Sequence, residues 1–260
     1  MPEMPIFDTH AHYDDEVFDE DRDEILASLK RSNIEKVVDI GASLSSCRRV
    51  KELADKYKFI YAAFGVHPEE VMDLKESDMD WLKLQCRHKK CVAVGEIGLD
   101  YHYDDIPKEV QKKWFERQLE LAREVKKPVV IHSREAAEDT LEILKAYHAE
   151  DVGGVMHCFS YTKEIAREVL KMGFYIGIGG VITFKNARKI KEAVAYAPIE
   201  SIVLETDCPY LAPEPYRGSR NTSLNLPYIV KAVAEIKDMH PDAVIGITWR
   251  NAHKLFGLKE

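Results

Sequence analysis

Residues 5–15 read Pro5-Ile6-Phe7-Asp8-Thr9-His10-Ala11-His12-Tyr13-Asp14-Asp15, a short β-like run that passes directly into a turn carrying two histidines and no glycine. A doubly wound sheet that bound a dinucleotide would place a glycine-rich phosphate loop at this first strand-to-helix turn. Its absence directs the reading to the other common parallel α/β architecture, the closed barrel. Outward from this stretch, β-rich runs alternate with helical segments to the end of the chain. Residues 20–33 read as a charged helix, and strands follow at 36–41 (KVVDIG), 59–66 (FIYAAFGV), 91–99 (CVAVGEIGL), 128–133 (PVVIHS), 153–159 (GGVMHCF), 174–180 (FYIGIGG) and 202–207 (IVLETD). Helices fit between them, among them 46–57 and 77–88, and residues 227–239 and 241–258 read as closing helices. Eight strands, each followed by a helix and joined by no low-complexity linker, predict an α/β fold of the (β/α)8 TIM-barrel type, one domain over residues 1–260. Residues 208–226, after the last strand, form a loop longer than most connections, and such loops in compact domains tend to carry function.

Composition excludes several classes. The five cysteines are an odd number with no Cys-x-x-Cys pair, which argues against a disulfide framework and against a zinc ribbon. No apolar run reaches the roughly 18 residues that a membrane helix needs, and residues 1–6 lack the basic and apolar regions of a secretory leader. A net charge of −8 disfavours coating nucleic acid through a broad basic face, a mode that neutralises many phosphates. It leaves room for a few cations to grip one strand end. The expectation is a cytoplasmic protein, monomeric or weakly oligomeric.

Alternate residues of a strand share a face, so His10 and His12 project the same way, and Asp8 with them. Two imidazoles so spaced can hold one metal, but polar packing produces the same spacing. Glu96 adds to the signal, because it interrupts the apolar run 92–99, where an unpaired carboxylate is costly to bury. His132 ends the run PVVI, His157 ends GGVM and Asp207 ends IVLET, which is where barrel strands run out into the loops that form active sites. Four imidazoles and two carboxylates exceed the ligand set of one zinc site and predict two divalent metals. Glu96 is the natural bridge, with one metal on His10, His12, Glu96 and Asp207 and the other on Glu96, His132 and His157. Glu96 and Asp207 then belong to the catalytic step as well. Two metals about 3.5 to 4 Å apart would acidify a bound water and clamp the attacking and leaving oxygens of a phosphodiester. Imidazole ligands favour Zn²⁺ or Mn²⁺ over Mg²⁺ by affinity.

The segments DTHAH (8–12), GVHPEE (65–70), VGEIGLDYH (94–102), PVVIHSREA (128–136), MHCFSYT (156–162), IGIGGVITFKNA (176–187), LETDCPYLAPEPYRGSRN (204–221) and NAHKLFGL (251–258) cover the chain nearly end to end. Together the sequence resembles the TatD family of metal-dependent deoxyribonucleases, within the amidohydrolase-like superfamily of barrel hydrolases. The resemblance implies hydrolysis of nucleic-acid phosphodiesters in the 3′ to 5′ direction from single-stranded DNA ends, with Mg²⁺ as the working ion and RNA as the second substrate candidate. Amide-cleaving relatives commonly bridge their metals with a carboxylated lysine, where this chain has Glu96. A small phosphoester, a cyclic amide or an aminoacyl-tRNA ester therefore stands as the alternative substrate.

Around the metals, His67 in Gly-Val-His-Pro is a candidate to bind a phosphate or assist the leaving group, with a satisfied turn histidine as the competing reading. The resemblance favours the catalytic role. Arg134, two residues past His132, could meet a phosphate bidentately. Lys185, Arg217 and Arg220 lie on the loops after the seventh and eighth strands, where barrels often hold phosphate. Tyr101, Tyr103 and Phe159 could stack on a splayed base. Glu205 reads as support for a ligand, the acidic run 14–24 as a solvated helix start, and Cys158 and Cys208 as small packed residues that point away from the site.

Overall fold

The computed structural model describes residues 4–259; residues 1–3, part of the stretch read for a leader, and residue 260 lie outside it. Eight strands pair in parallel in chain order: β1 (Ile6–Ala11), β2 (Ile34–Ile40), β3 (Ile60–Phe64), β4 (Cys91–Asp100), β5 (Val129–Arg134), β6 (Gly154–Met156), β7 (Tyr175–Ile178) and β8 (Ile202–Leu204). The sheet closes on itself just beyond β8, through a bridge between Ala11 and Cys208. There the His12 N–H donates to Cys208 O at 2.8 Å and the Asp207 N–H to His10 O at 2.9 Å. Helices α1 (Arg22–Arg31), α2 (Leu44–Lys56), α3 (Glu76–Gln85), α4 (Lys108–Val125), α5 (Ala137–Ala146), α6 (Lys163–Lys171) and α7 (Arg188–Tyr196) follow the first seven strands. The long loop after β8 leads to α8 (Leu226–Lys237) and α9 (Pro241–Phe256). The expected barrel is the fold, and no helix among the described residues is long and apolar enough to cross a membrane.

Every residue of β1 and β4 is buried, because helices cover the outside of a parallel barrel while side chains fill its inside. Phe7, Val38, Ala63, Val92, Val130, Val155 and Val203 form one apolar cluster with Ala252, Leu255 and Phe256 of α9. That cluster packs α9 against the barrel and marks the phase of every strand but β7. His132 follows Val130 by two, His157 follows Val155 by two, and Glu205 follows Val203 by two, so all three continue on the inward face toward the C-terminal ends of their strands. In β1 the phase changes. The register with β2 shifts between Asp8 and Ala11, and Asp8, next to inward Phe7, does not share the face of His10 and His12 as simple alternation predicts. It accepts from Thr206 Oγ1 and Ser223 Oγ, both at 2.6 Å, and from the Thr206 N–H at 3.0 Å.

β6 and β8 are shorter than their apolar runs suggest. The backbone turns into the left-handed region at Cys158 (φ 44°) and Asp207 (φ 57°), which ends extended pairing just where the site begins. Gly98 has the opposite task. At φ +150° it lies so close to β5 that a Cβ would run into the His132 carbonyl, so only glycine lets β4 stay paired there.

Two buried glutamines on α4 tie this helix to the strand ends. Gln118 accepts the Val66 N–H at 2.8 Å and donates to Val66 O at 3.0 Å. One heptad earlier, Gln111 does the same for Asp100, at 2.9 and 2.8 Å. Val66 lies past the end of β3, and Asp100, the last residue of β4, pairs with Arg134 of β5 on one side only, so without the glutamines these backbone groups would be buried unpaired. Replacing Gln118 with Leu leaves the Val66 N–H and C=O without partners, and urea unfolding should register a loss of about 2–4 kcal/mol. A change below about 0.5 kcal/mol would mean that water supplies both bonds and that α4 does not hold the loop before His67.

Candidate metal centre

Glu96 stands on β4, inside the barrel at the open end, and its two carboxylate oxygens face different sets of donors. Oε2 lies 3.4 Å from His10 Nε2 and 3.6 Å from His12 Nε2. Asp207 Oδ1 closes the group, 3.6 and 3.4 Å from the same two nitrogens, which are themselves 3.0 Å apart. Oε1 lies 2.8 Å from His132 Nδ1 and 2.7 Å from His157 Nε2, with those nitrogens 3.3 Å apart. Five side chains from four strands or strand ends thus gather around one carboxylate.

The outer nitrogens fix which face of each ring looks inward. His12 Nδ1 meets the Ile40 carbonyl at 2.9 Å; a carbonyl only accepts, so Nδ1 carries the proton and Nε2 presents a lone pair in the neutral ring. His132 is turned the other way: Nε2 meets Asp100 Oδ2 at 2.8 Å, leaving Nδ1 toward Glu96. His157 Nδ1 faces Glu205 Oε1 at 3.7 Å. Glu205 is held in turn by the Cys158 N–H at 2.5 Å, in space that exists because residue 177 is glycine; a Cβ there would overlap its carboxylate. His10 stacks on His157 at 3.9 Å between ring centroids, and its buried Nδ1 has no partner among the described residues.

Such an arrangement fits divalent cations. Two nitrogens on one tetrahedral zinc, each about 2.0–2.1 Å from it, stand roughly 3.3 Å apart, close to the 3.0–3.6 Å spacings here. Among the described residues, His10, His12 and Glu96 form one set able to hold an ion and Glu96, His132 and His157 another. The electrostatics agree. Burial raises the Glu96 pKa on its own, yet the charges of His157 and His10 and the hydrogen bonds of His10 and His132 hold the carboxyl well below its usual range. Burial opposes a charge on His12, but the Asp207 hydrogen bond and the Glu96 and Asp207 charges push it up to about 10. In the metal-free protein protons occupy the place of cations.

All of these donors except His10 line a cavity of about 870 Å³, together with His67, Asp100, Arg134 and Tyr103. His67 accepts the Glu69 N–H on Nδ1 at 3.3 Å, and its Nε2 lies 3.8 Å from Glu96 Oε1. Burial and the neighbouring His132 charge press its pKa to about 3, so it is neutral at physiological pH. Arg134 lies over the Tyr103 ring, 5.2 Å from its centroid. Other expected contacts stand elsewhere. Tyr101 donates to Asp139 at 2.6 Å, outside the wall, because strand alternation turns it away from Asp100. Phe159 is core. Lys185 is exposed beyond the cavity, Arg217 packs on Phe184 at 4.2 Å, and Arg220 is committed to Asp21 and to the Val17 carbonyl.

Two further expectations are corrected. Asp14 is not part of a solvated helix start but is buried and lines the cavity, as the chain turns inward after His12. Cys158 reaches the wall because its positive φ breaks the alternation that would have turned it away, whereas Cys208 is packed as expected. Asp100, Arg49, Glu69 and Tyr210 also line the cavity. Of these only Asp100 left a mark in the sequence, as the last polar residue of an otherwise apolar strand.

Residues 7–257 match the family described as TatD related DNase. The chain belongs to the TatD family. It is 45% identical over 251 residues to YabD of Bacillus subtilis, an uncharacterized metal-dependent hydrolase, covering 96% of this chain and 98% of that one. To YcfH of Escherichia coli K12, described in the same words, it is 33% identical over 256 residues, covering 97% and 96%. The crystal structure of YJJV, a TatD homolog from Escherichia coli K12, superposes with a TM-score of 0.92 at 30% identity, covering 98% of both chains. This TatD-family protein is a metal-dependent hydrolase, and its buried His and Glu clusters are the chemistry that such a description requires.

Two measurements follow for this TatD-family centre. Metal binding needs neutral imidazole, so a divalent ion must displace the proton that His12 holds below pH 10. Titration with Zn²⁺ at pH 7 in weak buffer with an indicator should release at least one proton per chain, and apparent affinity should rise with pH; proton-free binding contradicts the protonated cluster. Asp100→Asn removes the anion that orients His132, and metal affinity by equilibrium dialysis should fall about 10- to 100-fold. Unchanged affinity would show that His132 needs no such support.

Proposed function

We propose that this protein is a nuclease that removes nucleotides from the 3′ end of single-stranded DNA, hydrolysing phosphodiester bonds with two divalent cations. His10, His12, Glu96 and Asp207 hold one ion, and Glu96, His132 and His157 the other, with Mg²⁺ as the working ion and Zn²⁺ or Mn²⁺ able to take its place. The observation that carries this reading is the division of one buried carboxylate between two imidazole sets. When bound, the two ions supply the positive charge that ionises water near neutral pH and neutralises the phosphoryl oxygens.

The residues do the rest. The His157, His10 and His12 charges and the His12 hydrogen bond outweigh burial and keep Asp207 ionised, able to accept a proton from the attacking water. Neutral His67 carries its proton on Nε2, because Nδ1 accepts from the Glu69 backbone, and donates to a phosphoryl oxygen. Arg134 binds the same phosphate by two N–H groups, while Tyr103 beneath it offers a face to a base. Water attacks phosphorus as Asp207 takes its proton, the P–O3′ bond breaks, O3′ takes up a proton from solvent and stays on the shortened strand, and a 5′-nucleotide leaves. Lys185 and Arg217 remain for phosphates further along the strand.

A second reading, a small phosphoester as substrate, is favoured by one feature: Asp14, Asp15, Glu16, Glu69 and Glu70 all line the cavity and limit contact with a long polyanion. End-labelled single-stranded oligonucleotides with Mg²⁺, Mn²⁺ or Zn²⁺ separate the two. Stepwise shortening from the 3′ end is expected, reduced at least about 100-fold in Glu96→Ala. If metal-loaded protein leaves DNA and RNA intact but cleaves p-nitrophenyl phosphodiesters, the small-substrate reading replaces the nuclease one.

A further inference from the structure

The cavity has a second wall that the proposed mechanism leaves idle. Arg49, on α2, and Tyr210, from the loop after β8, both line it, and each meets the acidic turn after His12, Arg49 at Asp14 and Glu16 and Tyr210 at Asp15. Arg49 approaches Asp14 Oδ2 at 3.6 Å and Glu16 Oε1 at 3.9 Å, both longer than hydrogen bonds. Its Nε is buried and has no partner among the described residues. A guanidinium carries five N–H donors in a planar fork suited to phosphate, and here the carboxylates hold the fork in place without occupying its donors. The Tyr210 hydroxyl donates to Asp15 at 2.9 Å, which anchors a ring that is 55% exposed and 6.3 Å from the His12 ring.

Another arginine and another tyrosine line the other wall. The guanidinium of Arg134, at the end of β5, also makes no hydrogen bond among the described residues, and it lies over a half-exposed tyrosine, Tyr103. α2 leaves β2, so the two guanidiniums stand three strands apart round an eight-stranded ring, with Glu96 of β4 between them. Each wall offers one phosphate-binding fork and one stacking face, the two features by which single strands are held.

Resting on the nuclease reading, we propose that Arg49 and Tyr210 form a second nucleotide-binding station, which takes the phosphate and base next to the scissile linkage on the side opposite Arg134 and Tyr103. The cleaved unit is thus a linkage flanked by a nucleotide on each wall, and the preferred substrate carries a phosphate beyond the one that is cut. The acidic residues around both stations leave few phosphates in contact, so the site favours short oligonucleotides and strand ends over the body of a long polymer.

The test compares the dinucleotide d(TpT) with the same dinucleotide bearing a 5′-terminal or a 3′-terminal phosphate. One terminal phosphate should raise kcat/KM about tenfold or more, the size of a charge-assisted contact. Arg49→Met should bring that ratio close to one, and Arg48→Met, which alters the neighbouring arginine that packs on Trp81, should retain it. A ratio that survives in Arg49→Met overturns the assignment, as does an equal loss on all three substrates, which would mark a structural role. Equilibrium dialysis of the three dinucleotides with Glu96→Gln protein, with and without Arg49→Met, reads the same ratio in Kd without turnover. If the wild type cleaves none of them, the nuclease reading fails, and the dialysis alone decides the station: no Arg49-dependent gain in binding rejects it.

Discussion

An ionised carboxylate buried inside a barrel needs positive charge and hydrogen-bond donors within reach, because burial removes most of the water that would solvate it. Glu96 imposes that condition on the molecule. Imidazoles from β1, β5 and the end of β6 meet it, and Asp207 enters only because those imidazoles can balance a second anion. The tight convergence depends on features that serve no chemistry themselves: the glycine that keeps β4 against β5, the glutamines that anchor the strand ends, and the register shift that brings the β1 histidines inward.

A second tier of buried acids serves the first. Asp100 orients His132 by a hydrogen bond, so that ring presents Nδ1 inward, and Glu205 stands within ion-pair reach of His157, both from outside the donor set. Asp8 acts on the frame: it joins β1 to the segment after β8 and to the start of α8, where the barrel closes. Burial raises its pKa to about 7, against the pull of the Ser223 and Thr206 hydroxyls and the backbone N–H bonds. Closure and the site are therefore linked, since the same few residues that seal β1 to the β8 end carry His10, His12 and Asp207.

Much of this could be read along the chain. Alternation in a strand is local, so Val130 and His132, or Val155 and His157, share a face whatever lies around them, and an acid within the apolar run of Glu96 signals a partner before the partner is known. The same rule failed at Asp8 and Cys158, where a register shift and a positive φ change the phase. It could not find Arg49 or Tyr210, which reach the cavity from a helix and a loop whose positions no spacing encodes. Nor could it separate Tyr103 from Tyr101, or tell that Arg220 is held by Asp21.

By itself the sequence determined the strand-helix alternation, the barrel and the six ligand-type residues, since each follows from periodicity or from a polar group set in an apolar run. Only the tertiary structure decided which oxygen of Glu96 faces which imidazoles, which ring nitrogen turns inward, and which cations and aromatics share the cavity. Those relations join residues far apart in the chain, and they exist only once the ring of strands has closed.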